Sequence, residues 1–165
     1  MESAPVSLHI LLPVLAGLLG LVIGSYLNVV IHRLPLGIST VLPRSRCPAC
    51  GAAIRPRDNV PVVSYLLLRG RCRACAAPIS WQYPAIEVAT ALLFAACALR
   101  FGPTPAAAVA ALFCALMVVL AAIDVEHFLL PDRLTLPGLA TGLLLAPRAL
   151  GIGFWDAFWL SLIHI

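Results

Sequence analysis

Lysine is absent from this chain and charge of either sign is scarce: Asp, Glu, Lys and Arg make up 11% of its 165 residues, against 62% hydrophobic residues. Soluble domains draw roughly a quarter of their residues from the charged types, because water must meet a polar surface. So little polar material excludes an ordinary soluble domain and points to lipid as the solvent for most of the chain. The formal net charge of +4 is carried by arginine alone. Eight of the eleven arginines (33, 44, 46, 55, 57, 69, 71 and 73) crowd between two apolar segments, where only Asp58 opposes them. A basic stretch can hold nucleic acid, but short arginine-rich loops beside apolar spans more commonly fix orientation by staying in the cytoplasm. No nucleic-acid partner is therefore expected.

Residues 8–31 run for 24 positions without a formal charge, enough to cross a bilayer with some tilt. The basic start of a secretory signal is missing: residues 1–7 carry Glu2, and Arg33 follows the apolar run instead of preceding it. These flanks favour an anchor with its N-terminus outside and its other end cytoplasmic. Residues 32–82 are rich in Pro, Gly, Arg and Cys, lack an apolar run of spanning length, and read as a compact extramembrane module. The apolar pattern returns at 84–99, which contains Glu87, and at 105–123, an uncharged span of 19 residues. A polar interruption, D-V-E-H-F-L-L-P-D-R at 124–133, precedes a shorter apolar segment that ends near residue 150. A last apolar segment begins near Phe154 and offers only twelve residues, too few to cross, so the chain is expected to be the front part of a longer protein. The expected fold is an all-α polytopic membrane protein, C-terminally truncated, with a small cytoplasmic four-cysteine, zinc-ribbon-like loop domain. Its parts are an N-terminal transmembrane helix (1–31), the cytoplasmic four-cysteine module (32–82) and an incomplete set of transmembrane helices (83–165).

Four of the six cysteines form two C-x-x-C pairs, Cys47 with Cys50 and Cys72 with Cys75, with 21 residues between the pairs. Two sulfurs at this spacing can address one ion, and two such knuckles complete the closed tetrahedral shell of a structural zinc site. Gly51 and Gly70 suit the tight turns of such knuckles, and the nearby arginines offset the charge of four thiolates. Two disulfides are the competing arrangement and need an oxidising compartment. With four protein ligands no position remains for water, so such a metal folds the loop and does not catalyse. Cys97 and Cys114 lie in apolar runs and read as small hydrophobes.

A carboxylate inside a bilayer costs roughly 2.5–3.5 kcal/mol on insertion scales, which makes the acids of apolar segments functional candidates. Asp124 directly follows the cleanest span, and Asp132 comes eight residues later. An acid-protease dyad needs its carboxyls about 3 Å apart, whereas eight helical residues rise about 12 Å and Pro131 intervenes. Any partner for Asp124 comes from elsewhere, and Glu87 and Asp156 are the remaining acids of the later apolar segments. His127, three positions after Asp124, could relay a proton; alternatively Asp124, Glu126, His127, Asp132 and Arg133 form a solvated interfacial turn.

Three motifs in order resemble the prepilin peptidase (type IV leader peptidase) family. They are G-S-Y-L-N-V-V-I-H-R-L-P at 24–35, then R-C-P-A-C at 46–50 with D-N-V-P-V-V-S-Y-L-L-L-R-G-R-C-R-A-C at 58–75 and Y-P-A-I-E at 83–87, and A-I-D-V-E-H-F-L-L-P-D-R-L-T-L-P at 122–137. The resemblance implies a bifunctional enzyme of the bacterial inner membrane. It would cleave the basic leader from type IV prepilins, or pseudopilins of type II secretion, at the cytoplasmic face, and would N-methylate the new terminus from S-adenosylmethionine. It implies an aspartyl dyad whose first member maps onto Asp124, and a module carrying zinc on Cys47, Cys50, Cys72 and Cys75. The family's second aspartate lies in a Gly-x-Gly-Asp motif that this chain lacks; Gly151-Ile-Gly153-Phe-Trp-Asp156 has the wrong spacing. The chain alone is therefore expected to lack peptidase activity. A non-catalytic, membrane-anchored zinc module that scaffolds partners is the second class of function. A small proton-coupled transporter using Glu87 and Asp124 is a third, and it does not account for the knuckles.

Overall fold

The computed structural model describes residues 6–151 together with 153, 155 and 156. The expected apolar segment beyond Phe154 thus lies almost wholly outside the described residues. Among the described residues five α-helices follow in order: α1 (Val6–Arg33), α2 (Val63–Leu67), α3 (Gln82–Phe101), α4 (Pro105–His127) and α5 (Asp132–Leu150). Among the described residues β-structure is limited to two isolated bridges, Arg46 with Ala53 and Arg71 with Pro78. Among the described residues three stretches, Ile10–Arg33, Gln82–Phe101 and Pro105–His127, are long and apolar enough to cross a membrane. The chain is an all-α membrane protein with a cysteine-bearing insertion between α1 and α3.

Local chemistry sets the helix ends. Gly102, at φ +62, closes α3 with its N–H on the Ala98 carbonyl at 2.9 Å. Pro105 opens α4 at a position where its missing N–H costs nothing. With only three residues between them, α3 and α4 must run antiparallel. α4 does not stop where the polar interruption begins. It continues through Asp124, Glu126 and His127, and ends where Phe128 turns left-handed and donates its N–H to the Asp124 carbonyl at 2.8 Å.

α1 packs chiefly against α3, and glycines on α1 permit it. A Cβ at Gly20 would stand 2.7 Å from the Ala91 Cα, and one at Gly24 would stand 2.8 Å from the Glu87 Cα. Small residues let backbones approach in a medium as apolar as the side chains themselves, where van der Waals contact replaces the hydrophobic effect as the source of association. The buried cluster contains Leu27, Val30 and Ile31 of α1, Phe94 of α3, and Ala115, Val119 and Ile123 of α4. Most of it lies at one end of the bundle, where α1 and α4 finish and α3 starts. Asn28 fixes that end from within, donating its Nδ2 to the Tyr83 carbonyl at 3.1 Å and the Gly24 carbonyl at 3.3 Å.

Candidate functional site

The two knuckles repeat one backbone design. Cys47 N–H donates to the Ala52 carbonyl and Gly51 N–H to the Cys47 carbonyl; Cys72 N–H donates to the Ala77 carbonyl and Ala76 N–H to the Cys72 carbonyl. The fourth residue after the first cysteine must adopt positive φ in each. Gly51 does so at +71, and Ala76 at +58 without the freedom of a glycine. Gly70, also at positive φ, serves a different turn, the exit from α2.

The four Sγ atoms lie within 4.8 Å of one another, with Cys47 and Cys75 at 3.9 Å. A tetrahedral ion with bonds of about 2.3 Å to sulfur sets its ligands about 3.8 Å apart, so the quartet is already close to the size of such a shell. The Cys72 thiol is held down at about 7 by the backbone N–H groups of Cys75 and Ala74. At Cys75 the Ala77 N–H acts to lower the value, yet the thiols of Cys50, Cys72 and Cys47, together with desolvation, push it up to about 11. Crowded thiols resist successive ionisation, and a divalent cation is the group that lets all four become thiolates. Asp58 and Arg73 brace the second knuckle: Arg73 Nη2 is 2.6 Å from Asp58 Oδ1, and its Nε is 3.0 Å from both carboxylate oxygens. Hydrogen bonding from Arg73 holds the Asp58 carboxyl below its ordinary range.

Asp124 lies in the last turn of α4, exposed, and among the described residues its carboxylate has no hydrogen bond or ion pair. It is at the same end of the bundle as the cysteines, since Glu126 two residues on accepts from Gln82 Nε2 at the start of α3. His127 Nε2 is 3.6 Å from Glu126 Oε2, so the histidine is turned to Glu126. Asp132 begins a separate helix beyond the 128–131 loop.

Glu87 has a structural partner that local sequence could not indicate. It is buried, and its Oε2 accepts the Val62 N–H at 2.7 Å. Val62 has φ +59 and ψ −48, and the next N–H reaches back to the Pro61 carbonyl at 2.5 Å, a three-residue turn that is strained for a β-branched residue. The carboxylate thus clamps the insertion to α3. Between the insertion and the helix ends lies a cavity of about 690 Å³, lined among others by Asn28, His32, Arg33, Arg55, Tyr83 and Glu87.

Residues 18–101 match the Bacterial Peptidase A24 N-terminal domain, and residues 111–165 match the Type IV leader peptidase family. A Myxococcus xanthus protein named prepilin leader peptidase/N-methyltransferase is 49% identical over 128 residues, covering 78% of this chain and 38% of the relative. Proteins of the same name from Pseudomonas aeruginosa and Klebsiella pneumoniae are 41% and 40% identical, covering 87% and 85% of this chain and 62% and 70% of theirs. The chain spans about half the length of most curated relatives it matches. No solved structure matches it. The chain belongs to the type IV leader peptidase family.

Proposed function

We propose that the protein to which this chain belongs removes the leader from prepilins or pseudopilins at the cytoplasmic face of a bacterial inner membrane and then N-methylates the exposed terminus. The observation that carries the reading is the exposed carboxylate of Asp124, unpaired among the described residues and set at the same end of the bundle as the cysteine quartet. A carboxylate free of ion pairs is available to take a proton from water as the water attacks a peptide carbonyl, with a second carboxyl supplying the acid. No Gly-x-Gly-Asp occurs within the 165 residues, so the second carboxyl is assigned to residues outside this chain. Nine of the eleven arginines fall at the module end of the bundle, or at Arg133 beside it, which supports a cytoplasmic module and an external N-terminus.

Cys47, Cys50, Cys72 and Cys75 would hold zinc, whose service is to lock the two knuckles into one unit. S-adenosylmethionine would supply an electrophilic methyl group for the second reaction. The cavity of about 690 Å³ is of a size that small-molecule sites adopt, with walls fixed by Asn28 and Glu87.

The test is Asp124→Asn in a form carried to the full length of the relatives. A prepilin-derived peptide should be cleaved about 10²-fold more slowly or worse, the usual contribution of a positioned acid–base group, while methylation of a pre-cleaved peptide persists. Near-normal cleavage would refute the role of Asp124. Absence of both activities from that form with Asp124 and the metal in place would favour the scaffold reading instead.

A further inference from the structure

The segment around α2 is inside out for a protein surface in water. Its one small polar residue, Ser64, is buried: the hydroxyl accepts the Val60 N–H at 2.8 Å and donates to the Arg57 carbonyl at 3.1 Å. Its large apolar residues face outward instead, with Val63 50%, Leu66 67% and Leu67 77% exposed. A single exposed leucine is ordinary. A helical turn that buries its serine and presents three aliphatic side chains, next to helices that span a membrane, fits lipid as the neighbouring medium.

The depth of α2 is set by a hydrogen bond. Glu87 is five residues into α3, about 7.5 Å along the helix axis from Gln82, and it is Glu87 that holds Val62 at the start of α2. The other end of α2 is tied through Gly70, which donates to the Tyr65 carbonyl and accepts the Ile79 N–H at 2.7 Å, two residues before Trp81. α2 is therefore pinned beside the first turns of an apolar, membrane-length helix and not raised above them. Trp81 itself is 74% exposed immediately before α3, the level at which indole rings gather in membrane proteins.

Charge specifies the lipid. Arg69 and Arg71 follow α2 directly and are both exposed, and no acidic residue occurs between positions 59 and 86. Arg73 is engaged by Asp58, whereas among the described residues Arg69 and Arg71 have no ion-pair partner. Two unpaired guanidinium groups beside an apolar wedge complement phosphate groups over acyl chains.

We propose that residues 60–71 form an interfacial wedge that inserts Leu66 and Leu67 at the boundary between headgroups and acyl chains and binds the phosphates of anionic phospholipid through Arg69 and Arg71. Trp81 is the second anchor of this surface. The wedge fixes the height of the cysteine module over the bilayer, and its contacts do not depend on the chemistry at Asp124.

The test uses the chain reconstituted in vesicles of phosphatidylcholine, with or without an equal part of phosphatidylglycerol. One form carries Leu67→Trp with Trp81, Trp155 and Trp159 replaced by phenylalanine; a second keeps only the native Trp81 and leaves α2 untouched. Both indoles should emit at shortened wavelength, be quenched by lipids brominated near the top of the acyl chains, and resist aqueous acrylamide. Replacing Arg69 and Arg71 by glutamine should weaken the preference for co-purifying phosphatidylglycerol by about fivefold for each arginine, about 25-fold together. Acrylamide quenching without bromolipid quenching would place the segment in water and overturn the proposal. Shielding from both quenchers would mean a protein covers it, a second copy or another part of a longer chain, and would equally overturn it. An unchanged lipid preference in the arginine variant would remove the phosphate assignment.

Discussion

The glycine seam between α1 and α3 yields a prediction with internal controls. Carbon atoms in contact prefer about 3.5–4.0 Å, so a methyl group at Gly20 or Gly24, placed 2.7 or 2.8 Å from an α3 backbone carbon, falls short by about 0.7–1.3 Å. The obstacle is main chain in both cases, and no rotamer change relieves it. The helices must part along the seam, and overpacking of this kind costs about 1–3 kcal/mol. The gain from replacing a helical glycine by alanine is about 1 kcal/mol at most. Gly20→Ala and Gly24→Ala should therefore each lose about 0–2 kcal/mol, and the pair should lose less than the sum, since the first separation makes room for the second methyl. Gly17→Ala meets its nearest atom at 3.6 Å, and Gly142→Ala on α5 meets nothing within 4 Å. Those two keep the helix gain without the clash and should match or exceed the parent. Reversible unfolding in bicelles, followed by far-ultraviolet circular dichroism, ranks the four. Equal stability of Gly24→Ala and Gly17→Ala would show that the close approach does not hold these helices together.

Two further outcomes concern the module. Replacing Cys47 and Cys72 by serine should release zinc measured by inductively coupled plasma mass spectrometry, and an unchanged metal content would exclude the quartet as the site. The Asp58 carboxyl is held below its ordinary value, so the contribution of its ion pair is fully present above the ordinary carboxylate range and disappears as pH falls through the lowered value. The Asp58 carboxyl carbon shift should accordingly titrate lower in the parent than in Arg73→Gln, and coincident midpoints would contradict the bracing role of Arg73.

The parts legible in the sequence are those with local signatures. Charge scarcity between residues 8 and 31 and between 105 and 123 announced membrane helices, and the C-x-x-C spacing announced a cluster before any sulfur had a position. The equivalence of Ala76 to Gly51 was hidden because the second knuckle tolerates a strained alanine where the first has a glycine. The clamp from Glu87 to Val62 joins positions 25 apart, and no periodicity reports such a pair. α2 was invisible for a related reason: five helical residues with outward leucines look like a buried strand or core turn until their neighbours are known. Gly20 and Gly24 gave no warning either, since their use depends on which helix lies opposite.

Asp124 is a position where local preference and the observed structure disagree, and the disagreement has a physical sense. The last turn of a helix exposes carbonyl oxygens, whose partial negative charge disfavours a carboxylate by about 0.3–1 kcal/mol. α4 nevertheless ends in Asp124 and Glu126, with no arginine or lysine in that turn. Glu126 is compensated by the Gln82 amide and lies near His127, whereas Asp124 has no such partner among the described residues. Selection for stability alone would place a cation or a neutral residue there. Sites that break a local rule without compensation are those most often reserved for chemistry, and an acid kept unpaired at the end of an apolar helix is ready to meet a second carboxyl and a water molecule. If Asp124 were merely a solvated helix end, Asp124→Lys would stabilise α4 through the helix dipole and leave intact any leader cleavage by a form carried to the length of the relatives. The catalytic reading requires the opposite separation, with a helix as stable or more so and cleavage abolished, and one variant measured for both properties decides between them.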